Sequence, residues 1–331
     1  MAEPSIPVGR SEPGNSRVAQ GGPEVGGPFR GVLRSDEPMA DHVSWRAGGT
    51  VARAFFPVDL ADLVAFMSRL RHDESLLLVG LGSNLLVRDG GFDGTAVFTH
   101  GALNTLRREV DGSFYAEAGV ASPKLARFAG KQGCAEAEFL AGIPGTVGGA
   151  LAMNAGCHGG ETWRYVERVL MLNRRGEQII RRPDEFAIGY RHAGLKSSTD
   201  EIFLGAWFRF PPGDVETAQT CMRELLERRV ATQPLQLPNA GSVFRNPPGD
   251  HAARLIEAAG LKGTQINGAL VSEKHANFIV NPDGKATASA IEMLIGRIQA
   301  EVAEQFGVSL LREVRIVGEA DRQSRQEREG A

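Results

Sequence analysis

The sequence predicts an α+β protein of more than one domain, on three observations. Strands joined by glycine turns fill the chain as far as Phe210, and long amphipathic helices follow the Pro211-Pro212-Gly213 break. The strand and turn at Leu76 to Asn84 lead into another strand, not into the helix a Rossmann unit requires. At 331 residues the chain also exceeds the usual size of a single core.

In chain order, residues 1–40 hold six prolines and seven glycines among few large apolar side chains, which predicts a disordered extension. Order is expected from Asp41, with a strand over Val51 to Phe56. Asp59 then caps a helix whose Leu60, Leu63, Val64, Met67 and Leu70 recur at helical spacing. Strands follow at Leu76 to Val79 and Leu85 to Val87, and again between Ala96 and Val120. Ser122-Pro123 opens a helix that Gly133 closes. Further strands are expected at Val166 to Leu172, Glu177 to Ile180 and Ile202 to Phe210. Beyond the break, Asp214 starts a helix with Cys221, Met222, Leu225, Leu226 and Val230 on one face, and Asp250 caps another that ends at Gly260. Strands near Ala269 to Val271 and Asn277 to Val280 precede a long helix running from Thr287 to Gly307. A last strand, Val308 to Val317, carries Glu313, and residues 319–331 form a charged tail.

The totals exclude several functions. A net charge of -3 gives no electrostatic reason for nucleic acid or an anionic membrane as partner, and no apolar run approaches the roughly 20 residues of a membrane span. No signal-peptide pattern opens the chain, so export is not expected. Three cysteines without CxxC spacing and scattered histidines predict a reducing cytoplasm and no metal. The absence of a Walker A sequence removes P-loop nucleotide hydrolysis.

The densest feature is Gly142 to Gly156, which holds five glycines, a proline and an asparagine, with no charge. Such a stretch lets backbone N–H groups approach a phosphate with no Cβ between, and its apolar filling argues against a flexible linker. Gly80-Leu81-Gly82-Ser83-Asn84 is a second turn of this kind.

Four pieces together, Gly80 to Asn84, Gly142 to Gly156, Gly189-Tyr190-Arg191 and Ala240 to Pro247, resemble the motifs of the UDP-N-acetylenolpyruvoylglucosamine reductase family of flavoenzymes. Leu255 to Gly263, Gly268 to Asn281 and Glu313 to Gly318 extend the resemblance over about residues 41–318 in the right order. It implies an FAD-binding domain of the vanillyl-alcohol-oxidase (PCMH) type over 41–212, in two subdomains of about 41–118 and 119–212. A substrate-binding lobe over 213–310 and a final strand over 311–318 that returns to the active site complete the expected organisation. The implied activity belongs to peptidoglycan precursor synthesis: NADPH reduces FAD, and the enolpyruvyl sugar nucleotide UDP-N-acetylglucosamine enolpyruvate is then reduced to UDP-N-acetylmuramate.

The resemblance also assigns residues. Gly80, Leu81, Gly82, Ser83, Asn84 and Leu85, with Gly142, Pro144, Gly145, Thr146, Gly148, Gly149, Ala150, Asn154 and Gly156, are expected to hold FAD. Arg191 is matched to the cation on the substrate carboxylate, Ser242 to the proton donor, and Glu313 to an acid beside Arg191. Asn246 and Lys262 are candidates for the sugar-nucleotide phosphates, and Tyr190, Arg245 and His275 are further candidates for the substrate site. Cys157-His158 reads as packing or exposure, since neighbours in a chain seldom face each other. Ala193 replaces a serine common two positions after the arginine, and the short Lys196 to Asp200 segment lacks the tyrosine loop of some members. The chain therefore resembles the shorter, second type. Two rivals are a flavin oxidase of the same fold acting on an alcohol or phenol, and a flavin- or nucleotide-binding module without catalysis.

Overall fold

Parallel pairing organises the first sheet. In the computed structural model, which describes residues 29–197 and 200–321, four strands lie in the order Val32–Pro38, Thr50–Phe56, Phe92–Phe98, Leu76–Val79. The first pair is antiparallel and the other two are parallel. Helix α1 (Leu60–Met67) crosses between parallel strands, its first turn satisfied by the Asp59 carboxylate, which accepts the Asp62 N–H. It ends at Met67, although Leu70 beyond it is still buried.

The disordered extension expected over 1–40 is corrected from residue 29 onward. Phe29 packs edge-on against Phe55 and Phe66, Met39 is fully buried, and Val32–Pro38 gains ladder hydrogen bonds as an edge strand. An average over forty residues hid this run, because its order comes from a strand partner more than from apolar content. Residues 1–28 of that expected extension, and 322–331 of the expected charged tail, lie outside the described residues.

The second sheet is antiparallel throughout, in the order Gln178–Arg181, Val166–Leu172, Ile202–Phe208, Phe114–Glu117, Leu106–Arg108. Helix α2 (Ser122–Lys131) and the short α3 (Val147–Ala152) pack against it through Leu125, Ala126, Ala129, Val147 and Leu151. Ser122 is the first helical residue, not the cap. Its N–H is drawn to Gly145 O, Ala121 takes the cap position, and the Ser122 hydroxyl is buried without a partner among the described residues.

Helix α4 (Val215–Thr232), capped by Asp214 as expected, is the element the sequence places in the substrate lobe. It packs instead on α2, with Ala218 and Met222 against Gly130. Only those two of its residues are buried, and Leu226 and Val230 of the expected core face are exposed.

The third unit packs helices α5 (Ala252–Ala258) and α6 (Ala288–Phe306) against the small antiparallel sheet Gln265–Ile266, Ala269–Val271, Ile279–Val280. Trp45 and Leu86 from the first unit enter this core, and the Trp45 indole donates to Ile279 O at 2.8 Å. Asp89 accepts the Ala288 and Ser289 N–H groups at the start of α6, beside its own Thr287 cap. Asp250 does not cap α5. It accepts from His251 N–H and Arg254, and Asn246 Oδ1 takes the Ala252 N–H instead.

The last strand is shorter than expected. Only Arg315–Val317 forms a strand, parallel to Leu85–Val87, and Glu313 precedes it. Residues 312–314 are drawn aside to Val243 and Phe244, whose backbone they bond, so the extended run breaks before the strand begins.

Candidate functional site

The first glycine turn leaves its strand at Val79 and carries its donors outward. Among the described residues, the backbone N–H groups of Leu81, Gly82, Ser83 and Asn84 make no hydrogen bond. Their carbonyls do: Gly82 O accepts from Ser44 N–H at 3.2 Å and Asn84 O from Arg315 N–H at 3.0 Å. Successive free donors on a loop held by its acceptors are what a backbone anion site requires. Gly82 has φ 60°, and a Cβ there would overlap His42 O and stand 2.7 Å from Val43 Cα, so the turn requires glycine. Leu81 is exposed at the tip, while Leu85 is buried in the following strand.

The second glycine segment lies against the first. A Cβ on Gly80 would overlap the Thr146 hydroxyl, and one on Gly145 would come within 3.4 Å of Ser83 Oγ. Its donors, however, are mostly spent inside the protein. Val147 N–H goes to Val120 O, Gly148 N–H to Ala118 O, Gly145 N–H to Ile143 O, and Gly149 N–H to the Thr146 hydroxyl that caps α3. Ala150 N–H goes to Thr146 O. The glycines here serve close packing: a Cβ at Gly148 would stand 2.9 Å from Ala118 Cβ, and one at Gly142 would stand 2.7 Å from Cys157 Sγ. Pro144 lies between the short 3-10 turn Glu138–Gly142 and Thr146. Within this stretch the N–H groups of Gly145, Val147, Gly148, Gly149 and Ala150 are thus engaged by the protein itself.

Asn154 is engaged by the protein as well. It is buried, with φ 40°, and its carboxamide is used by the protein: Nδ2 donates to Gly189 O and Glu161 Oε2, each at 3.1 Å, and Oδ1 accepts Trp163 N–H. Asn154 thereby ties the glycine segment to the hairpin Phe186–Gly189/His192–Leu195, whose turn is Tyr190-Arg191.

Arg191 occupies that turn with φ 55°, a left-handed conformation that costs a non-glycine residue on the order of 1 kcal/mol. Three contacts hold it. Its Nε donates to Glu313 Oε1 at 2.7 Å, its Nη2 donates to Gly156 O at 3.0 Å, and its own carbonyl accepts from Arg245 Nη2 at 3.2 Å. The guanidinium also lies 5.0 Å from the centre of the exposed Tyr190 ring. Arg191 and Glu313 are each less than one-fifth exposed. Burial pushes the Glu313 carboxyl above its ordinary range, opposed by the positive charges of Arg191 and Arg245.

Glu313 is also joined to the first turn, since Asn84 Nδ2 donates to its carbonyl at 3.2 Å. Its N–H donates to Val243 O at 2.8 Å, which puts Ser242 one residue from this contact. Ser242 is half-buried, follows Gly241 at φ 74°, and makes no hydrogen bond through its hydroxyl among the described residues.

The structure therefore gathers Arg191, Glu313, Arg245 and Ser242 beside the free-donor turn. The outer candidates have other contacts. Lys262 pairs with Glu257 at 2.7 Å, and Asn246 spends its carbonyl on α5. The His275 imidazole is held below its usual range mainly by burial, with Lys262 adding to the effect. Cys157 donates to Phe139 O at 3.0 Å, and burial raises its thiol to about 11, which supports the packing reading. A groove of about 750 Å³ between α2 and α4 is lined by Arg127, Met222, Leu226 and neighbours and by none of the candidate residues.

Sequence reasoning missed the residues that brace the first turn, His42 and Ser44, and the Arg245 contact to Arg191. Gly82 is the one signal that pointed to a close approach there, without naming the partner. Among the described residues no cluster of ligating side chains suits a metal ion, and no helix is long and apolar enough to cross a membrane.

The comparisons agree with this geometry. A model of an FAD binding domain matches residues 51–180, and a model of the UDP-N-acetylenolpyruvoylglucosamine reductase C-terminal domain matches 233–317. The second begins just after α4, which the structure assigns to the preceding unit. The chain is 54% identical over 313 residues to the UDP-N-acetylenolpyruvoylglucosamine reductase of Thiobacillus denitrificans, covering 89% of this chain and 96% of that protein. It is 52% identical over 297 residues to the protein of the same name from Legionella pneumophila strain Paris, covering 89% and 97%. The crystal structure of the corresponding reductase from Thermus caldophilus superposes with a TM-score of 0.73 at 29% identity, covering 87% of this chain and 99% of the other.

Proposed function

The chain belongs to the UDP-N-acetylenolpyruvoylglucosamine reductase family, and from that premise we propose that it is the FAD-dependent oxidoreductase that reduces the enolpyruvyl ether of UDP-N-acetylglucosamine to UDP-N-acetylmuramate for peptidoglycan synthesis. Bound FAD supplies a hydride, taken from NADPH, to the terminal vinyl carbon of the enolpyruvyl group.

The chain's own residues then have three tasks. The free N–H groups of Leu81 to Asn84 fit the pyrophosphate of the cofactor, an anion that needs donors without side chains in the way. The Arg191 guanidinium takes the substrate carboxylate, where its planar fork matches two oxygens and stabilises the charge that develops on the neighbouring carbon. Ser242 gives its hydroxyl proton to that carbon. The product gains one hydride and one proton, and the serine oxygen recovers its proton from solvent.

The observation that carries this reading is the Arg191–Glu313 pair. A carboxylate of the protein itself occupies the arginine, in a place less than one-fifth exposed next to the donor turn. Substrate would take over the carboxylate position, leaving Glu313 close to a second carboxylate. Burial already raises Glu313, so a second carboxylate beside it makes its ionised form depend on the positive charge that remains near it. A flavin oxidase would need a free base, and Glu313 is committed to Arg191. Three free cysteines support a reducing cytoplasmic setting.

Stopped-flow absorbance of Ser242→Ala tests the assignment. NADPH should bleach the flavin at the wild-type rate, while reoxidation by the enolpyruvyl substrate falls by about a thousandfold. Reoxidation at the wild-type rate would remove Ser242 as proton donor.

A further inference from the structure

Two cations face Glu313, and the reaction above uses only one of them. Arg191 touches the carboxylate directly, and Arg245 acts on it by charge. On Glu313's own segment, Arg312 turns toward Glu292, at 3.9 Å. The neighbouring Asn84 and Ser242 are neutral.

Arg245 is fixed from both ends. Its backbone N–H donates to Leu311 O at 2.9 Å, which locks the 240–247 segment beside Glu313, and its Nη2 donates to the Arg191 carbonyl. Its Nε is shut off from solvent with no partner among the described residues. A buried donor left without an acceptor is destabilising, which asks for a use.

We propose that Arg245 is a positioning residue of the reductive site: it pins the left-handed Arg191 turn through its carbonyl and supplies the second positive charge that receives Glu313 when substrate takes Arg191. The proposal rests on the assignment of Arg191 to the substrate carboxylate. The two jobs follow from elementary physics. A non-glycine residue in the left-handed region relaxes unless its neighbours hold it, and a relaxed Arg191 would turn its fork away from the substrate. A carboxylate so little exposed, displaced from the cation it touches, would be stranded, and a second guanidinium with an unused N–H gives it somewhere to go.

Two variants separate these jobs. Arg245→Met removes the charge and the donor with little loss of length, and Arg245→Lys keeps the charge but not the fork. The readouts are the ¹³C carboxyl titration of Glu313 in flavin-loaded enzyme without substrate, assigned by its loss in Glu313→Gln, and stopped-flow rates of both half-reactions. With Arg245→Met, the Glu313 midpoint should rise by about one pH unit, because a favourable cation has gone. The KM for the enolpyruvyl substrate should rise about tenfold. Arg245→Lys should restore the midpoint while KM stays raised. Arg245→Gln, neutral and still polar, carries the same test if the Met chain does not fold.

A neutral variant with a wild-type Glu313 midpoint overturns the proposal, and so does a Lys variant that shifts as far as the neutral one. If wild-type enzyme is not reoxidised by the enolpyruvyl substrate, the proposed function fails instead, and the titration still decides what Arg245 does to Glu313.

Discussion

The two glycine-rich regions look alike in sequence and use their backbone donors in opposite ways. In the turn Gly80 to Asn84 the donors are free and the acceptors are tied down. In Gly142 to Gly156 the N–H groups of Val147, Gly148, Gly149, Ala150 and Ala155, among others, are spent on the protein's own acceptors. Glycine density reports that backbone or side chains come close. It does not say whether what comes close is a ligand or another part of the chain. The first region keeps donors unspent, and the second packs against it and holds the Arg191 hairpin through Asn154 and Gly156.

The sharpest way to break this contrast is Gly82→Ala, where the new methyl would strike His42 O from a left-handed backbone. Loss of the turn should weaken FAD binding by at least about a hundredfold, since several donors move together. Flavin fluorescence titration reads it, and wild-type affinity would show that the free donors are not the cofactor's. Next in size is Asn154→Ala. It leaves Gly189 O and Trp163 N–H without their partner, so reoxidation by substrate should slow about tenfold while FAD affinity changes far less. An equal loss in both would make the second segment a cofactor surface after all. The smallest effect on FAD is expected from Gly148→Ala, which crowds Ala118 by 2.9 Å contact. Overpacking should cost about 1–3 kcal/mol in unfolding experiments, with FAD affinity within roughly threefold of wild type.

The elements that the sequence made legible are those whose signals are local. Asp59, Asp214 and Thr287 cap their helices as the pattern predicts, and Gly307 ends α6 at φ 67°. Arg191 and Glu313, 122 residues apart, meet as the family resemblance implied, although periodicity and composition alone would not pair them. What stayed hidden was decided by distant partners. Val32–Pro38 is ordered by the strand beside it, α4 joins the preceding unit because α2 offers Gly130 to its Met222, and Asp250 loses its capping place to Asn246. Asn154 could not be told from a cofactor ligand, because an amide suits either use and only its surroundings choose.

The parallel pairing of Leu85–Val87 with Arg315–Val317 also governs when the site can exist. Asn84 accepts from Arg315 and donates to Glu313 across 229 residues, so the cofactor turn lacks its outer support until the ribosome has delivered that distant strand. Closing so long a loop is a late folding event. A chain cut short before residue 313 would leave Asn84 without either of these partners and Leu85–Val87 without its parallel neighbour.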